Sequence, residues 1–242
     1  CVIVFYGKII MQDLSAFGFY VDFGIFAYPI TLFFILGCIN CMNLIDGLDG
    51  LAAGISAIYF ATVGIIATMQ GKFGLDFILT FIMLGSTLGF LVHNFNPASI
   101  FMGDSGSMFL GLIIAVIALL GFKNVTMTSL IIPLLILAIP ILDTIFAILR
   151  RLLKGESISK PDKFHIHHQL LNRNLSQRAT VLIIYFINIL FAACSIIYVL
   201  KDAVLGYISY GILLAIVLVF VFKTNVVFDK SVKEKILEKL KK

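Results

Sequence analysis

Charge is scarce in this sequence. Asp, Glu, Lys and Arg make up 13% of its 242 residues, while 61% are hydrophobic. Mean hydropathy is +1.10. A soluble domain is about half apolar and about a quarter charged, so a water-soluble core of this size is excluded. Alternating segments of about ten residues, the mark of a membrane β-barrel, are also missing. So are internal repeats, linkers and low-complexity tracts. The four cysteines, Cys1, Cys38, Cys41 and Cys194, all lie in apolar stretches. They lack the polar, exposed surroundings that redox or metal chemistry needs and read as small packing residues.

What remains is a series of apolar runs near the roughly 20 residues that cross a bilayer as a helix. They recur almost to the C-terminus, unlike a cleaved signal peptide. In lipid every backbone polar group must be satisfied within its own segment, which leaves helices. The expected fold is an all-α, polytopic membrane bundle of about seven full spans, with a partial first span near residues 1–11. The full spans are expected near 26–42, 52–69, 76–92, 107–122, 128–149, 180–199 and 203–222. Residues 71–74, 121–124 and 201–202 read as turns. Pro133 and Pro140 are expected to bend the 128–149 span. The first residue is Cys1 rather than Met and lies within an apolar run. The natural N-terminal part is therefore expected to precede it.

The positive charges orient the spans. All but four of the 18 Lys and Arg fall either in the 150–178 segment or in the tail from Lys223 onward. The positive-inside rule assigns both to the cytoplasm. The other four, Lys8, Lys72, Lys123 and Lys201, lie at or near turns on the opposite side. Counting spans back from the 150–178 segment brings residues 93–106 and then 43–50 to the cytoplasmic face. Residues 1–222 are thus read as an integral membrane domain and 223–242 as a basic cytoplasmic tail. Val232, Ile236 and Leu240 in that tail repeat every four residues among lysines. This fits a helix lying on an anionic leaflet and equally a solvated tail. No nucleic-acid partner is expected.

Three polar islands interrupt the apolar runs on that face. The first is Asn43-Leu44-Ile45-Asp46-Gly47-Leu48-Asp49-Gly50. Asn40, Asn43, Asp46 and Asp49 recur every three residues, so adjacent ones are neighbours on a helix. Gly47 and Gly50 favour a break that lets backbone approach a ligand. The second runs from His93-Asn94-Phe95-Asn96-Pro97 to Phe101-Met102-Gly103-Asp104-Ser105-Gly106. Asp104 stands at the mouth of the next span. With the oxygens of Asn43, Asp46 or Asp49 it forms a hard-donor set suited to Mg²⁺. Phe101 offers a ring face to a base, or is simply an interfacial aromatic. The third island places His165, His167 and His168 among Lys160, Lys163 and Arg173. No Cys or Glu completes a zinc set, and imidazoles with cationic neighbours suit a diphosphate. Asp143, near the cytoplasmic end of its span, is a site or relay candidate or an ion-pair partner for Arg150. Carboxylates, Mg²⁺, glycine and a basic histidine loop at a bilayer surface point to phosphoryl transfer involving a lipid.

These islands resemble the signatures of the polyprenyl-phosphate N-acetylhexosamine-1-phosphate transferases. The resemblance covers about residues 26–200 and involves three long motifs in the family's order. The segment from Pro140 to Arg151, with Pro161-Asp162-Lys163 and His165-Ile166-His167-His168, is most similar to the N-acetylglucosamine type that starts teichoic-acid linkage units. The resemblance implies transfer of a sugar 1-phosphate from a UDP-N-acetylhexosamine to polyprenyl (undecaprenyl) phosphate, with release of UMP. It implies Mg²⁺, with Mn²⁺ as a substitute, at Asn43 and Asp104. It implies a UDP-sugar site at Asn94, Asp49 and Phe101, and catalytic roles for Asp46, Asp104, His165, His167 and His168. The setting it implies is a multi-pass cell-membrane protein of cell-wall biogenesis with a cytoplasmic active site; a homodimer stays open.

The family also carries adjacent aspartates upstream of the part seen here, and this chain has none. The 242 residues alone are therefore expected to be inactive. Other readings are a sister enzyme using UDP-N-acetylmuramoyl-pentapeptide, a transporter, and a non-catalytic scaffold. Transporters place charged sites near the bilayer midplane, often between repeats; here most acids lie at one face and no repeat is visible.

Overall fold

A computed structural model describes residues 2–16, 19–71, 73–124, 137–155, 157 and 165–223. Helix α1 (Val2–Phe5) leads into an antiparallel hairpin, β1 (Asp13–Ala16) and β2 (Phe19–Asp22), with Asp13 opposite Asp22. A single 3₁₀ turn, Gly24–Phe26, runs into α2 (Ala27–Ile45). There follow α3 (Leu51–Met69), α4 (Leu75–Asn94), α5 (Gly103–Asn124), α6 (Ala138–Lys154), the short α7 (Ile166–Leu171), α8 (Gln177–Leu200) and α9 (Ala203–Lys223). Among the described residues, 6 helices are long and apolar enough to cross a membrane: those of Gly24–Ile45, Leu51–Met69, Leu75–Asn94, Gly103–Gly121, Gln177–Leu200 and Ala203–Phe220.

The architecture is the expected helical membrane bundle, with local differences. The 13–22 hairpin is its one departure from all-α structure among the described residues. The partial first span comes down to the 4 residues of α1. Residues 121–124, read as a turn, form the end of α5. Residues 125–136, including Pro133, lie outside the described residues. Pro140 occupies the first turn of α6, where its missing N–H costs no helical hydrogen bond. Whether Pro140 bends the 128–149 span thus rests on residues outside the described ones. Helix α6 also continues through Arg150 and Arg151, read as loop residues, and both are buried. The tail helix expected over 229–242, with Lys160 and Lys163, lies outside the described residues.

Several helices extend past the apolar runs at the polar end of the bundle. Asn43 closes α2, His93 and Asn94 close α4, Gly103 and Asp104 open α5, and Gln177 opens α8. Hydropathy marks where lipid contact ends, whereas backbone hydrogen bonding carries the helix further.

Helix α3 forms the centre. Leu51, Ala52, Ala53, Ile55, Tyr59 and Phe60 on it are fully buried. It packs against α4 on one side and α8 on another, while α2 pairs with α5 and α8 with α9. Helices in lipid gain little from apolar burial and rely on close packing at small residues. Gly111 of α5 shows this: a Cβ there would stand 2.6 Å from the Cys38 carbonyl oxygen and 2.7 Å from the Ile39 Cα. The backbones of α2 and α5 thus touch two helical turns below Asp104. Conversely, Ile78, Phe81 and Ile82 of α4 and Ile208, Ile212 and Ile216 of α9 are exposed, as a lipid-facing surface requires.

Candidate active site

The first island is a helix break. Helix α2 ends at Ile45, and the Asp46 N–H bonds back to the Asn43 carbonyl. The chain turns through 46–50 and re-enters helix at Leu51. Gly50 holds φ +80°, a left-handed conformation in which a side chain is strained. The break takes Asp46 and Asp49 out of the helix that carries Asn43.

Asn43 joins the second island. Its Nδ2 donates to Asp104 Oδ1 (3.2 Å) and to Ser107 Oγ (3.1 Å). Asp104 is exposed in the first turn of α5, where the helix dipole favours a carboxylate. Asp46 is half-buried beside it. Burial first, and the Asp104 charge second, push the Asp46 carboxyl up to about 6. Two carboxylates and an amide carbonyl form a hard-oxygen set that fits a divalent cation keeping several waters. Among the described residues no group of three or more His, Cys, Asp or Glu converges on one point. The residues that could hold such a cation are Asn43, Asp104 and the nearby Asp46.

Asp49 and Asn94 tie the islands together. Asp49 Oδ2 accepts from Asn96 Nδ2 (2.9 Å) and the Ala98 N–H (3.2 Å). Asn94 is buried; its Oδ1 accepts from the Gly50 N–H (3.0 Å) and its Nδ2 donates to the Ile100 carbonyl (2.9 Å). Phe101, next in sequence, is 76% exposed, so a ring face is open at the rim. Helix α8 adds residues that the motifs did not mark: Gln177 Oε1 accepts from Asn96 Nδ2, Arg178 Nε donates to the Asn96 carbonyl, and the Tyr185 hydroxyl donates to the Gly50 carbonyl. Each partner lies more than 80 residues away in sequence, so no local pattern could reveal it. Ser107 sits three residues past Asp104, a spacing that places it on the same helix face.

The third island is docked by Asp143, which is 3% exposed. Its Oδ2 is hydrogen-bonded to His165 Nδ1 and its Oδ1 accepts from the Ile166 N–H, both at 2.9 Å. Helix α7 holds His167 against the first island. A Cβ on Gly47 would stand 2.5 Å from His167 Nε2. His167 is buried, and among the described residues neither of its ring nitrogens has a hydrogen-bond partner. Burial, reinforced by His168, lowers its pKa to about 4. The His167 and His168 rings lie 4.2 Å apart, and His165 stacks parallel to His167 at 5.7 Å. All three islands therefore meet at one end of the bundle.

An apolar groove of about 430 Å³ runs from the back of α7 between α8 and α9; Ile166, Leu170, Ile187, Leu213 and Val217 line it, and Arg173 stands with them.

The family model described as glycosyl transferase family 4 matches residues 1–122. A probable undecaprenyl-phosphate N-acetylglucosaminyl 1-phosphate transferase of Bacillus subtilis is 49% identical over 197 residues, covering 81% of this chain and 54% of its own length. A decaprenyl-phosphate N-acetylglucosaminephosphotransferase of Mycolicibacterium smegmatis is 36% identical, covering 79% and 52%. An undecaprenyl-phosphate α-N-acetylglucosaminyl 1-phosphate transferase of Escherichia coli K12 is 32% identical, covering 81% and 55%. The chain spans about half the length of these curated relatives.

Proposed function

Because this chain belongs to glycosyl transferase family 4, we propose that it forms part of an enzyme transferring N-acetylglucosamine 1-phosphate from its UDP-sugar to polyprenyl phosphate. The observation that carries this reading is the meeting of Asn43, Asp46 and Asp104 with His167 across the glycine turn. Hard oxygens on one wall and imidazoles on the other suit the two ends of a diphosphate. The names of the relatives support N-acetylglucosamine as the sugar and a long prenyl phosphate as acceptor.

In this reading an oxygen of the lipid phosphate attacks the sugar-bearing phosphorus. The bond from that phosphorus to the bridging oxygen breaks, and UMP departs with the electron pair. Asn43 and Asp104, with Asp46 alongside, would hold Mg²⁺ (or Mn²⁺), which when bound offsets charge on the diphosphate and on UMP. Asp49 and Asn94 fix the turn on which the nucleotide rests, and Phe101 offers a stacking face for the uracil. The histidines hold the diphosphate and sugar. The groove behind α7 suits the prenyl chain. The site faces the cytoplasm, where UDP-sugars and the basic 150–178 segment meet.

The test is UMP release by the intact purified protein, given undecaprenyl phosphate and Mg²⁺. Release with UDP-N-acetylglucosamine and none with UDP-N-acetylmuramoyl-pentapeptide is expected. Exclusive use of the pentapeptide donor would assign the sister reaction, and no release from either would overturn the enzymatic reading.

A further inference from the structure

Helix α7 is only 6 residues long, and its N-cap residue, His165, makes no side-chain cap. So short a helix has little stability of its own, and its first N–H groups need outside acceptors. Asp143 supplies one from α6, 23 residues away, where Oδ1 accepts from the Ile166 N–H. The other oxygen of the same carboxylate is hydrogen-bonded to His165 Nδ1 at 2.9 Å. One buried carboxylate therefore fixes both the backbone position of α7 and the orientation of a histidine ring.

We propose that Asp143 is a positioning residue that clamps α7 and holds His165 with its proton on Nδ1, so that Nε2 is the ring atom presented to substrate. This deepens the transferase reading and rests on it for the identity of the substrate, the sugar diphosphate.

A carboxylate is an acceptor only, so the His165 nitrogen facing it must carry the hydrogen. In the neutral ring Nε2 then bears the lone pair; the partner of one ring nitrogen sets the role of the other. The consequence reaches beyond His165. His167 follows two residues later, against Gly47 with no space to spare. Release of α7 would therefore move the imidazoles of all three histidines relative to Asp46 and Asp104. Thr144, the next residue on α6, donates to the Pro140 carbonyl and contacts Cys41 Sγ of α2 at 3.4 Å. The clamp is thus anchored on the helix that carries Asn43.

Asp143→Asn separates positioning from bulk packing. The amide keeps an oxygen for the Ile166 N–H but turns an N–H toward His165 Nδ1, which can accept only in the opposite tautomer. The intact protein, ¹⁵N-labelled at histidine and assigned with His165→Gln, should show the His165 Nδ1 and Nε2 signals exchange character in Asp143→Asn. Melting temperature should change little, and kcat should fall about 10- to 100-fold with a smaller change in KM for UDP-N-acetylglucosamine. Asp143→Ala should lose both thermal stability and kcat. Unchanged His165 signals in Asp143→Asn would overturn the proposal, as would an unchanged kcat or a loss that merely tracks unfolded protein. The nitrogen signals need no substrate. A wild-type protein inactive toward every UDP-sugar, yet with His165 protonated on Nδ1, would sink the transferase reading and leave the clamp standing.

Discussion

His167 and Gly47 touch without room for a methyl group between them: a Cβ on Gly47 would stand 2.5 Å from His167 Nε2 and 3.0 Å from Cε1. The third island is seated on the first through a residue that has no side chain. Gly47→Ala should therefore force α7 outward. Overpacking of this kind costs about 1–3 kcal/mol. The expected result is a modest drop in melting temperature and at least a ~10-fold fall in kcat, within the range for displaced supporting groups. Full activity in Gly47→Ala would show that the α7 position does not matter to the reaction.

The Asp46 carboxyl titrates near 6, against an ordinary value of 3.8, through burial and then the Asp104 charge. The folded state thus binds the proton more tightly than the unfolded state. Linkage makes stability highest below about pH 4, falling as pH rises to about 6 and level above that. Asp104→Asn removes the like charge and leaves the burial, so the Asp46 midpoint should move down without reaching 3.8. Infrared titration of the carboxyl band measures it; a midpoint that stays put would assign the whole shift to burial.

Added Mg²⁺ should act on the same midpoint. A cation between Asn43, Asp46 and Asp104 favours the ionised carboxyl, so saturating Mg²⁺ should lower the Asp46 titration and raise the melting temperature. Chelation should abolish UMP release, and Asp104→Asn should reduce it by about 100-fold or more, the scale seen when one electrostatic transition-state contact is lost. Neither shift in Asp104→Asn, together with the usual shifts in wild type, would locate the ion at Asp104.

Tyr185 reaches the Gly50 carbonyl by crossing over Gly54, where an added Cβ would land on the phenol ring and hydroxyl. Gly54→Ala should be among the more damaging single changes, at about 1–3 kcal/mol from overpacking. Tyr185→Phe should cost about 1 kcal/mol for its lost hydrogen bond. Because the clash and the bond share atoms, the two effects should not add. A double variant whose loss equals the sum of the single losses would contradict the contact.

Much of this arrangement is legible in the sequence for a physical reason. Lipid penalises any polar group that has no use, so each island announces itself. The break at Gly47 and Gly50 is likewise a local property of glycine. The partners of the polar residues are not legible. Asp143 reads equally as a site acid or as a partner for Arg150; the structure turns its oxygens to His165 and Ile166. Asp49 and Asn94 read as ligand groups, yet atoms of each are taken up in bracing the turn. Such pairings depend on where chain segments tens of residues apart come to rest, and neither periodicity nor hydropathy encodes that. The 13–22 hairpin escapes notice because it sits between apolar runs and is too short to set a pattern of its own.

The contact at Gly111 has a mechanical consequence. Helices in a bilayer tilt when the hydrocarbon layer thins or thickens, and two helices separated by long side chains can tilt independently. Helices α2 and α5 cannot, because Gly111 brings backbone against backbone at Cys38 and Ile39. They must lean as one strut. Asn43 and Asp104 ride at the same end of that strut, 3.2 Å apart, so a tilt of one helix carries both residues with it.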